Sequence, residues 1–301
     1  MFGVTILGNN SAVPAYNRHP TCQIVTIQNE LYMIDCGEGA QMQIMKYKIK
    51  RSRLEAIFIS HLHGDHYFGL IGLITSFGLI GRKQNLTIYA PGNLAQIIQL
   101  QLDAADIILP YNLTIIQINE AGILLQNSKI KISCFATNHR ITCYGFRFEE
   151  VKNPRKIEIE KALALEIPSA YYAALQQGDD YTTKQGTVIY NSQVTTATTP
   201  PKVYAYCADT KYDEAILPYL LNANLLYHET TYLHNLEAKA IERFHSTSKQ
   251  AATVALQANA KQLLIGHFSS KYENLDTFIT EATEVFTHTN IAVEGATFYV
   301  S

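Results

Sequence analysis

The sequence lacks the features that would direct the chain into a membrane or out of the cell. No apolar run reaches the roughly 20 residues that a helix needs to cross a bilayer. Residues 1–8 contain neither a basic stretch nor a cleavage site, which favours a first strand over a signal peptide. The five cysteines are odd in number and scattered through strand-like runs, as expected of reduced core thiols. We therefore expect a cytoplasmic protein without a membrane partner.

The sequence also has little excess charge of either sign. Its formal net charge is −2, and charged residues make up 17% of the chain against 47% hydrophobic residues. This balance is typical of an ordinary soluble globule and gives no sign of a strongly basic nucleic-acid binder. Any contact with nucleic acid would therefore depend on a local patch of basic side chains. No internal repeat of solenoid period is present, and 301 residues suffice for a substantial core.

One stretch differs from this background because it is dense in metal-binding groups. Residues 60–66 read SHLHGDH, so three imidazoles and a carboxylate follow the apolar run 54–59, a predicted buried strand. Imidazole nitrogen and carboxylate oxygen are ligands that zinc accepts in open, catalytic sites. A surface histidine cluster at a strand end is the alternative interpretation, and the density and spacing of these groups argue against it.

The spacing within this stretch indicates two metal positions. Residues i and i+2 of an extended segment face the same way, so His61 and His63 can converge on one point. Gly64 lets the backbone turn, which brings Asp65 and His66 towards a second point. The sequence therefore predicts that these four side chains supply ligands to two sites.

Metal-competent residues follow apolar strands elsewhere in the chain as well. His139, Asp209, His228 with Glu229, and His267 all hold such positions. In layered α/β folds functional groups gather at strand ends, because the strands are rigid and the loops after them are free to vary. Taken singly, His139 or His267 could be an incidental loop histidine, and Asp209 could cap a helix. Jointly they supply a third ligand for each metal, in both cases an imidazole, and a bridging carboxylate.

Strand and helix patterns alternate over most of the chain and predict a mixed-sheet α/β layer protein. The predicted strands are 4–7, 22–27, 31–34, 54–59, 86–90, 113–118, 130–136, 143–148, 202–207, 225–227 and 262–265. The predicted helices are 41–49, 68–80, 94–105, 161–167, 213–222, 249–258 (capped by Ser246 or Thr247) and 276–286. Residues 151–200 have little core-forming content and balanced charges, so we expect a functional or mobile insertion there.

The end of the first predicted helix is basic. Residues 46–53 carry five cations and no acid. One interpretation is a solvated helix end, whose cations suit the negative end of the helix dipole. The other is a phosphate-contacting patch beside the metal loop.

Residues 60–66, followed by FGL at 68–70, resemble the metallo-β-lactamase superfamily, and further motifs resemble its ribonuclease Z branch of tRNA 3′-processing endonucleases. These motifs are LG at 7–8, IDCGE at 34–38, ADT at 208–210, HETT at 228–231, HST at 245–247 and HFSSKY at 267–272. The resemblance spans essentially the whole chain. It implies one four-layer αβ/βα metallo-β-lactamase sandwich over residues 1–301, with an inserted tRNA-binding arm at about 151–200.

The resemblance also implies a dinuclear zinc site, whose ligands manganese or iron could share. The implied ligands are His61, His63 and His139 for one zinc, and Asp65, His66 and His267 for the other, with Asp209 bridging. Two such metals can clamp both the attacking and the departing oxygen of a phosphodiester. Asp65 would also accept a proton from the attacking water, and His245 would protonate the leaving oxygen.

Further roles follow from the same resemblance. Glu229 would orient a histidine, and Asp35 would be structural, tying loops together beneath the site. Arg18, Lys271 and Tyr272 hold substrate-binding positions of the family. The loop at 14–19 lacks the lysine and asparagine that the family uses to sense a 3′ CCA end, and Lys271 stands where arginine is common.

The implied activity is cleavage of precursor tRNA after the discriminator nucleotide. Direct attack by hydroxide would leave a 3′-OH on the tRNA and a 5′-phosphate on the trailer. The family acts as a homodimer in which one subunit's arm presents tRNA to the other's site, so we expect a homodimer.

Two alternatives stay open. One is a superfamily hydrolase of a small phosphodiester, a sulfate ester or a lactone. The arm favours it, because residues 151–200 lack the family's usual Gly-Pro pair and carry an acidic tip at 179–180. The other alternative is a zinc-binding protein without catalysis. His245 and the His228-Glu229 motif argue against the first alternative. Asp65 and His245 argue against the second, because metal binding alone needs neither a proton acceptor nor a proton donor.

Overall fold

The structure is a computed structural model that describes residues 1–151 and 155–301. The chain divides into a large unit, Met1–Glu149 with Lys202–Ser301, and a small unit, Glu150–Pro201. Residues 152–154 of the expected arm lie outside the described residues. None of the helices in the described ranges combines the length and the apolar character that crossing a bilayer requires.

The secondary structure follows the alternation that the sequence predicts. In chain order the strands are β1 (Phe2–Gly8), β2 (Asn10–Ser11), β3 (Cys22–Ile27), β4 (Glu30–Ile34), β5 (Leu54–Phe58), β6 (Leu86–Ala90), β7 (Leu113–Gln117), β8 (Gly122–Gln126), β9 (Ile130–Ala136), β10 (Tyr144–Glu150), β11 (Lys156–Ile157), β12 (Tyr181–Thr182), β13 (Val188–Ile189), β14 (Thr195–Thr196), β15 (Val203–Cys207), β16 (Leu225–Glu229), β17 (Leu263–Gly266), β18 (Phe268–Ser269), β19 (Thr289–Ile291) and β20 (Thr297–Tyr299). The helices are α1 (Ala40–Lys46), α2 (Gly64–Tyr67), α3 (Leu70–Leu79), α4 (Leu94–Ala104), α5 (Ile159–Ala164), α6 (Tyr172–Gln177), α7 (Asn191–Val194), α8 (Leu217–Leu220), α9 (Glu237–Arg243), α10 (Ser248–Gln257) and α11 (Asp276–Thr283). Short 3-10 helices cover Arg51–Arg53, Ser169–Tyr171, Glu214–Ile216 and His234–Leu236.

Two mixed sheets of seven strands each build the large unit. The first has the order β20-β1-β3-β4-β5-β6-β7, antiparallel as far as β4 and parallel from β4 to β7. The second has the order β19-β17-β16-β15-β10-β9-β8. Its strands β15, β16, β17 and β19 run parallel, so their C-terminal ends lie at one edge. The short strands β2 and β18 pair with each other.

The two sheets pack face to face, and each carries helices on its outer face. Apolar side chains of both sheets share one core between them. Helices α1, α3 and α4 cover the first sheet, and α8, α10 and α11 cover the second. This layering is the predicted four-layer αβ/βα sandwich, so the fold-class prediction is confirmed.

The alternation of side chains along a strand explains why so many strands are apolar on both faces. In β3, Val25 and Ile27 point into the core between the sheets. Cys22 and Ile24 point the other way, into the core beneath the helices. Strands buried on both faces appear in the sequence as nearly continuous apolar runs.

Most predicted elements are present, with ends shifted by a few residues. The predicted helix 68–80 begins later, with α3 at Leu70. Gly69, just before it, lies too close to the backbone of Gly37 for any side chain. The predicted helix 213–222 is a 3-10 helix followed by the single turn of α8. The sequence analysis did not find β8, β19 or β20, since β8 is a partly exposed edge strand and the other two have three residues each.

The small unit has a core of its own. Its buried side chains are Ala162, Ile167, Leu175, Ile189 and Val194. Two short antiparallel ladders, β11 with β14 and β12 with β13, hold the segment together. The helix predicted at 161–167 is present as α5, two residues earlier in the chain.

Candidate metal centre

Strand ends place the predicted ligands at one edge of the sandwich. In the second sheet, Asp209 follows β15 and His267 follows β17, and these strands run parallel to the intervening β16. In the first sheet, β5 ends just before residues 60–66. The Tyr144 N–H donates to the carbonyl of Ser60 at 3.0 Å and so joins this loop to β10 of the second sheet.

The first group of ligands consists of His61, His63, His139 and Asp209. His63 Nδ1 lies 3.0 Å from His61 Nε2 and 3.2 Å from His139 Nε2. Asp209 Oδ2 lies 3.6 Å from His61 Nε2 and 3.9 Å from His139 Nε2. Tetrahedral zinc with ligands at about 2.0–2.1 Å has neighbouring ligand atoms about 3.3–3.4 Å apart. We call these four residues cluster A.

The second group, cluster B, consists of Asp65, His66, His267 and the other oxygen of Asp209. His66 Nε2 lies 3.2 Å from His267 Nε2 and 3.5 Å from Asp65 Oδ2, which is 3.4 Å from His267 Nε2. Asp209 Oδ1 lies 3.5 Å from His66 Nε2 and 3.2 Å from His267 Nε2. Asp209 thus faces cluster A with Oδ2 and cluster B with Oδ1, the position predicted for a bridging carboxylate.

The donor atoms of these clusters fit a cation. Asp209 Oδ1 is buried and receives no hydrogen bond from the described residues, although two imidazole nitrogens lie within 3.5 Å. A buried carboxylate oxygen without a partner is costly, and a cation at this point would compensate its charge. Burial lowers the pKa of His61, His63 and His139, which keeps these rings in the neutral form that binds metal.

The outward ring nitrogens of the ligands are fixed by hydrogen bonds. His66 Nδ1 donates to Asp35 Oδ2 at 2.8 Å, and His139 Nδ1 donates to the carbonyl of Phe244 at 3.0 Å. Such bonds set the tautomer, so that the Nε2 lone pair points at the metal position. His267 is held in the same way, by the hydroxyl of Thr231 at 2.9 Å.

Asp35 ties several elements together beneath the clusters. Its carboxylate accepts from the N–H of Ser60 at 2.7 Å, the Ser60 hydroxyl at 2.9 Å and the Tyr206 hydroxyl at 2.8 Å, in addition to His66. The backbone of Asp35 is left-handed, with φ of 54°, and its side chain is fully buried. The structure therefore places Asp35 where the sequence analysis expects it. The contact with Tyr206 was not predicted, because a tyrosine inside an apolar strand has no distinguishing pattern.

His245 and Glu229 form a buried pair beside both clusters. His245 Nδ1 lies 2.9 Å from Glu229 Oε1 and 3.9 Å from Asp209 Oδ2. Glu229 is held in turn by the backbone N–H groups of Thr231 and Ser246, each at 2.9 Å. Burial lowers the pKa of His245, but the Glu229 carboxylate outweighs this effect and raises it to about 9. A cation bound in the clusters would repel the charged ring and reduce this shift.

Other predicted site residues lie elsewhere. His228 is buried with its Nδ1 donating to the Glu229 carbonyl at 2.7 Å, and it joins neither cluster. The Arg18 guanidinium donates to Asn10 Oδ1 at 3.0 Å and to the carbonyls of Glu273 and Tyr272, so it braces a loop.

Lys271 and Tyr272 also lie away from the clusters. The Lys271 ammonium lies 5.4 Å from the centre of the Tyr272 ring, and the Tyr272 hydroxyl accepts from the N–H of Leu233 at 3.4 Å. Neither of them, nor Arg18, lines the pocket in front of the clusters. Their role in substrate binding stays a prediction.

That pocket has a volume of about 420 Å³. Besides ligand residues and His245, its walls include Arg140, Arg243 and the serines Ser11, Ser269 and Ser270. The sequence analysis missed both arginines. Only their positions in the sequence could have indicated them, because Arg140 directly follows His139 and Arg243 comes two residues before His245.

The basic segment 46–53 does not lie beside the metal loop. It precedes β5, whereas residues 60–66 follow that strand. A strand rises about 3.3 Å per residue, which places Arg53 about 20 Å from Ser60. The interpretation of this segment as a phosphate patch next to the clusters is therefore wrong in its location.

The sequence is similar to curated proteins over its whole length. A ribonuclease Z from Porphyromonas gingivalis is 41% identical over 295 residues, which cover 97% of this chain and 97% of that protein. A ribonuclease Z from Bacteroides fragilis is 40% identical over 296 residues, 98% of this chain and 97% of that protein. The chain belongs to the ribonuclease Z family. The family predicted from the motifs is thereby confirmed.

A family model matches the first half of the chain. Residues 2–153 fit the model described as anti-Pycsar protein Apyc1, and this stretch belongs to that family as well. It contains five of the seven expected ligands, His61, His63, Asp65, His66 and His139. The remaining two ligands, the His245–Glu229 pair and all but the first residues of the small unit lie beyond this stretch, in the part that the ribonuclease Z relatives also cover.

Solved structures confirm the fold. Human tRNase Z, short form (ELAC1), gives a TM-score of 0.72 at 24% identity and covers 99% of both chains. The metallo-β-lactamase fold protein YhfI from Bacillus subtilis gives a TM-score of 0.69 at 21% identity, covering 99% of this chain and 98% of its own. At sequence identities below 25%, the structural similarity shows that these proteins share a fold. The family and the two clusters together imply a divalent metal.

Asp35→Asn tests the support beneath cluster B. An asparagine amide turns one acceptor atom into a donor. At the Oδ1 position this donor opposes the Ser60 N–H and strains the loop that carries the ligands, and at the Oδ2 position it opposes three donors, of which His66 is one. We expect His66 to lose its fixed tautomer and the affinity for metal to fall about 10–100-fold. Competition with a chromogenic chelator measures this affinity without any turnover.

Asp106→Asn serves as the control, because this aspartate is exposed and far from the clusters in sequence. Its metal affinity should equal that of the unaltered protein. Metal binding by Asp35→Asn at full affinity would show that the contact between Asp35 and His66 does not orient the ligand.

Proposed function

We propose that the chain is an endoribonuclease that removes the 3′ trailer of precursor tRNA by cleavage after the discriminator nucleotide. The observation that carries the proposal is the His245–Glu229 pair beside two ligand clusters in a member of the ribonuclease Z family. The geometry of clusters A and B suits two zinc ions. We further propose that the protein acts in the cytoplasm.

In the proposed reaction, Asp65 and His245 carry out the proton transfers, and the metals supply the remaining charge. Two divalent cations in the clusters would polarise the phosphate and lower the pKa of a water between them. Asp65 directs Oδ2 at cluster B, and Oδ1 receives no hydrogen bond from the described residues, so it can accept the proton of the attacking water. His245 binds Glu229 through Nδ1, which leaves the Nε2 proton for the departing 3′ oxygen.

His245→Ala tests the proposed proton donor. Loss of the donor should lower kcat on precursor tRNA about 100- to 10,000-fold, the usual worth of general acid catalysis. The metal content should not change, because His245 belongs to neither set of predicted ligands. Cleavage of end-labelled precursors measures the rate and maps the cut. His288→Ala, which alters an exposed histidine, should leave both properties unchanged.

The same assay separates the proposed function from its rivals. A cut after the discriminator nucleotide that leaves a 3′-OH agrees with the proposal. Turnover of a small chromogenic diester with no precursor cut at any position would identify a hydrolase of small phosphodiesters instead. A metal-loaded protein that turns over neither substrate would be a binding protein without catalysis.

We also propose that the small unit, Glu150–Pro201, serves as the arm that contacts tRNA. It is an insertion between paired strands, because Glu149 of β10 lies opposite Val203 of β15. It has its own core, and Lys156 and Lys184 on it are exposed. These features fit a separate module that adds RNA contacts to a complete catalytic sandwich.

Removal of the arm tests this role. Since Glu149 and Val203 are directly opposed, a short glycine-rich loop in place of residues 150–202 can join the two strands. We expect kcat/KM on precursor tRNA to fall at least about tenfold through KM, because phosphate contacts are lost. Hydrolysis of a small diester should stay within twofold of the full chain, which controls for the integrity of the metal centre. Equal precursor cleavage by both proteins would contradict the proposed role.

We propose, finally, that the chain is a homodimer joined through α1 and α3. These helices pack side by side on the first sheet, yet they leave large apolar side chains in solvent. Met42 and Met45 of α1 are 70% and 64% exposed, and Leu79 of α3 is 89% exposed. Large exposed apolar side chains on two neighbouring helices are a feature of interaction sites. A second copy is the occupant that the family resemblance favours.

Charges placed on this surface test the dimer. The double variant Met45→Glu, Leu79→Glu should elute as a 33.7 kDa monomer, whereas the unaltered protein should have twice this mass. Light scattering after size exclusion measures both. Leu100→Glu, an exposed apolar position on α4, is the matched control and should remain dimeric. A dimer that persists in the double variant would place the interface elsewhere.

A further inference from the structure

His63 differs from the other histidine ligands in the nitrogen that it turns towards its cluster. Its Nδ1 is the atom close to His61 and His139, at 3.0 and 3.2 Å. A neutral imidazole that binds metal through Nδ1 carries its proton on Nε2. The outer edge of His63 is therefore an N–H donor.

Arg140 faces this donor edge. Its Nη2 lies 3.4 Å from His63 Nε2, and a guanidinium can only donate. With a metal bound at His63 Nδ1, two donors would therefore face each other without an acceptor between them. Within the described parts of the chain, no ion pair joins Arg140 to a carboxylate, although its side chain is exposed and lines the pocket. The arrangement requires an acceptor from outside the chain, and an anionic acceptor suits it best.

Arg243 lines the same pocket as Arg140. It precedes Phe244, which is held in the left-handed region with φ of 59° and accepts the His139 Nδ1 hydrogen bond through its carbonyl. Both arginines are therefore connected to His139. Arg140 follows it directly in the chain, and Arg243 precedes Phe244, whose carbonyl accepts the hydrogen bond from His139. The ion pair of Arg243 with Glu242, 3.6 Å long and largely exposed, restrains it little.

We propose that Arg140, with Arg243 beside it, binds the phosphate next to the one that is cut, in the single-stranded 3′ end of the RNA. The inference rests on the proposed function. The position of the guanidinium supports a neighbouring phosphate, because the His63 ring separates it from the clusters that would hold the scissile group. Arginine suits this task, since its planar fork matches two phosphate oxygens and its charge is permanent.

The inference separates two kinds of substrate. An RNA chain has a phosphate on each side of the scissile one, whereas a small chromogenic diester has a single phosphate. A contact with a neighbouring phosphate therefore accelerates cleavage of RNA and leaves the small diester unaffected. A residue that merely supported His63 would influence both substrates and the metal content as well.

The experiment compares Arg140→Ala and Arg140→Lys with Lys261→Ala, which removes one exposed cation next to the N-terminal end of β17, opposite His267. For Arg140→Ala we expect kcat/KM on precursor tRNA to fall about tenfold, with less than about twofold change on the small diester. The slope of log K for precursor binding against log salt, measured in the slow His245→Ala background, should shrink by about 0.7. Lysine should restore part of the loss, and Lys261→Ala should change neither readout.

The outcomes distinguish this inference from the function on which it rests. If the unaltered protein cuts no precursor, the proposed function fails and the inference fails with it. If it cuts precursors and Arg140→Ala cuts them equally well with the same salt dependence, only the inference is overturned. Equal losses on both substrates together with reduced metal content would make Arg140 a support of His63 and would also overturn it.

Discussion

The structure depends above all on a buried carboxylate whose two oxygens face different ligand clusters. Asp209 is 2% exposed, and it has imidazole nitrogens at 3.2–3.9 Å on both sides. A charge removed from water in this way is tolerated only when it is compensated, and a cation held by the side chains of the two clusters would supply that compensation. Because those side chains come from both sheets, the site also constrains how the sheets pack.

A second set of buried groups makes this constraint rigid. Asp35 and Glu229 are both buried, and each accepts hydrogen bonds from backbone N–H groups as well as from a histidine. A carboxylate fixed by the backbone cannot turn away from its histidine without losing several bonds at once. The two carboxylates therefore set the orientation of one metal-facing ring, His66, and of the proposed proton donor His245. Because these charged groups are already in position, the reaction needs no additional free energy to reorient them.

Local patterns in the sequence predicted the alternation of strands and helices and the dense group of metal-competent residues at 60–66, whereas the four-layer sandwich and the full set of expected ligands came from the family resemblance. Apolar runs mark strands buried on two faces, and SHLHGDH places four ligands by the geometry of one strand end and one turn. Contacts between distant segments have no such pattern. The hydrogen bond of Tyr206 to Asp35 and the approach of Arg140 to His63 depend on how separate loops meet in space. The basic segment 46–53 was placed at the wrong end of β5 for a related reason, since closeness in sequence was taken for closeness in space.

The distribution of charge bears on how a chain with a net charge of −2 can act on a polyanion. The described part of the small unit carries the cations Arg155, Lys156, Lys161 and Lys184 among carboxylates, and Lys161 is paired with Glu158 at 2.6 Å. Such a unit attracts RNA weakly at long range. Attraction at the pocket would be different, because metal charge and the guanidinium groups of Arg140 and Arg243 would act there at short range on a partly desolvated phosphate. We therefore expect the arm to contribute through contacts made after binding rather than through long-range attraction, and the wall of the catalytic pocket to supply the strongest short-range electrostatic contacts.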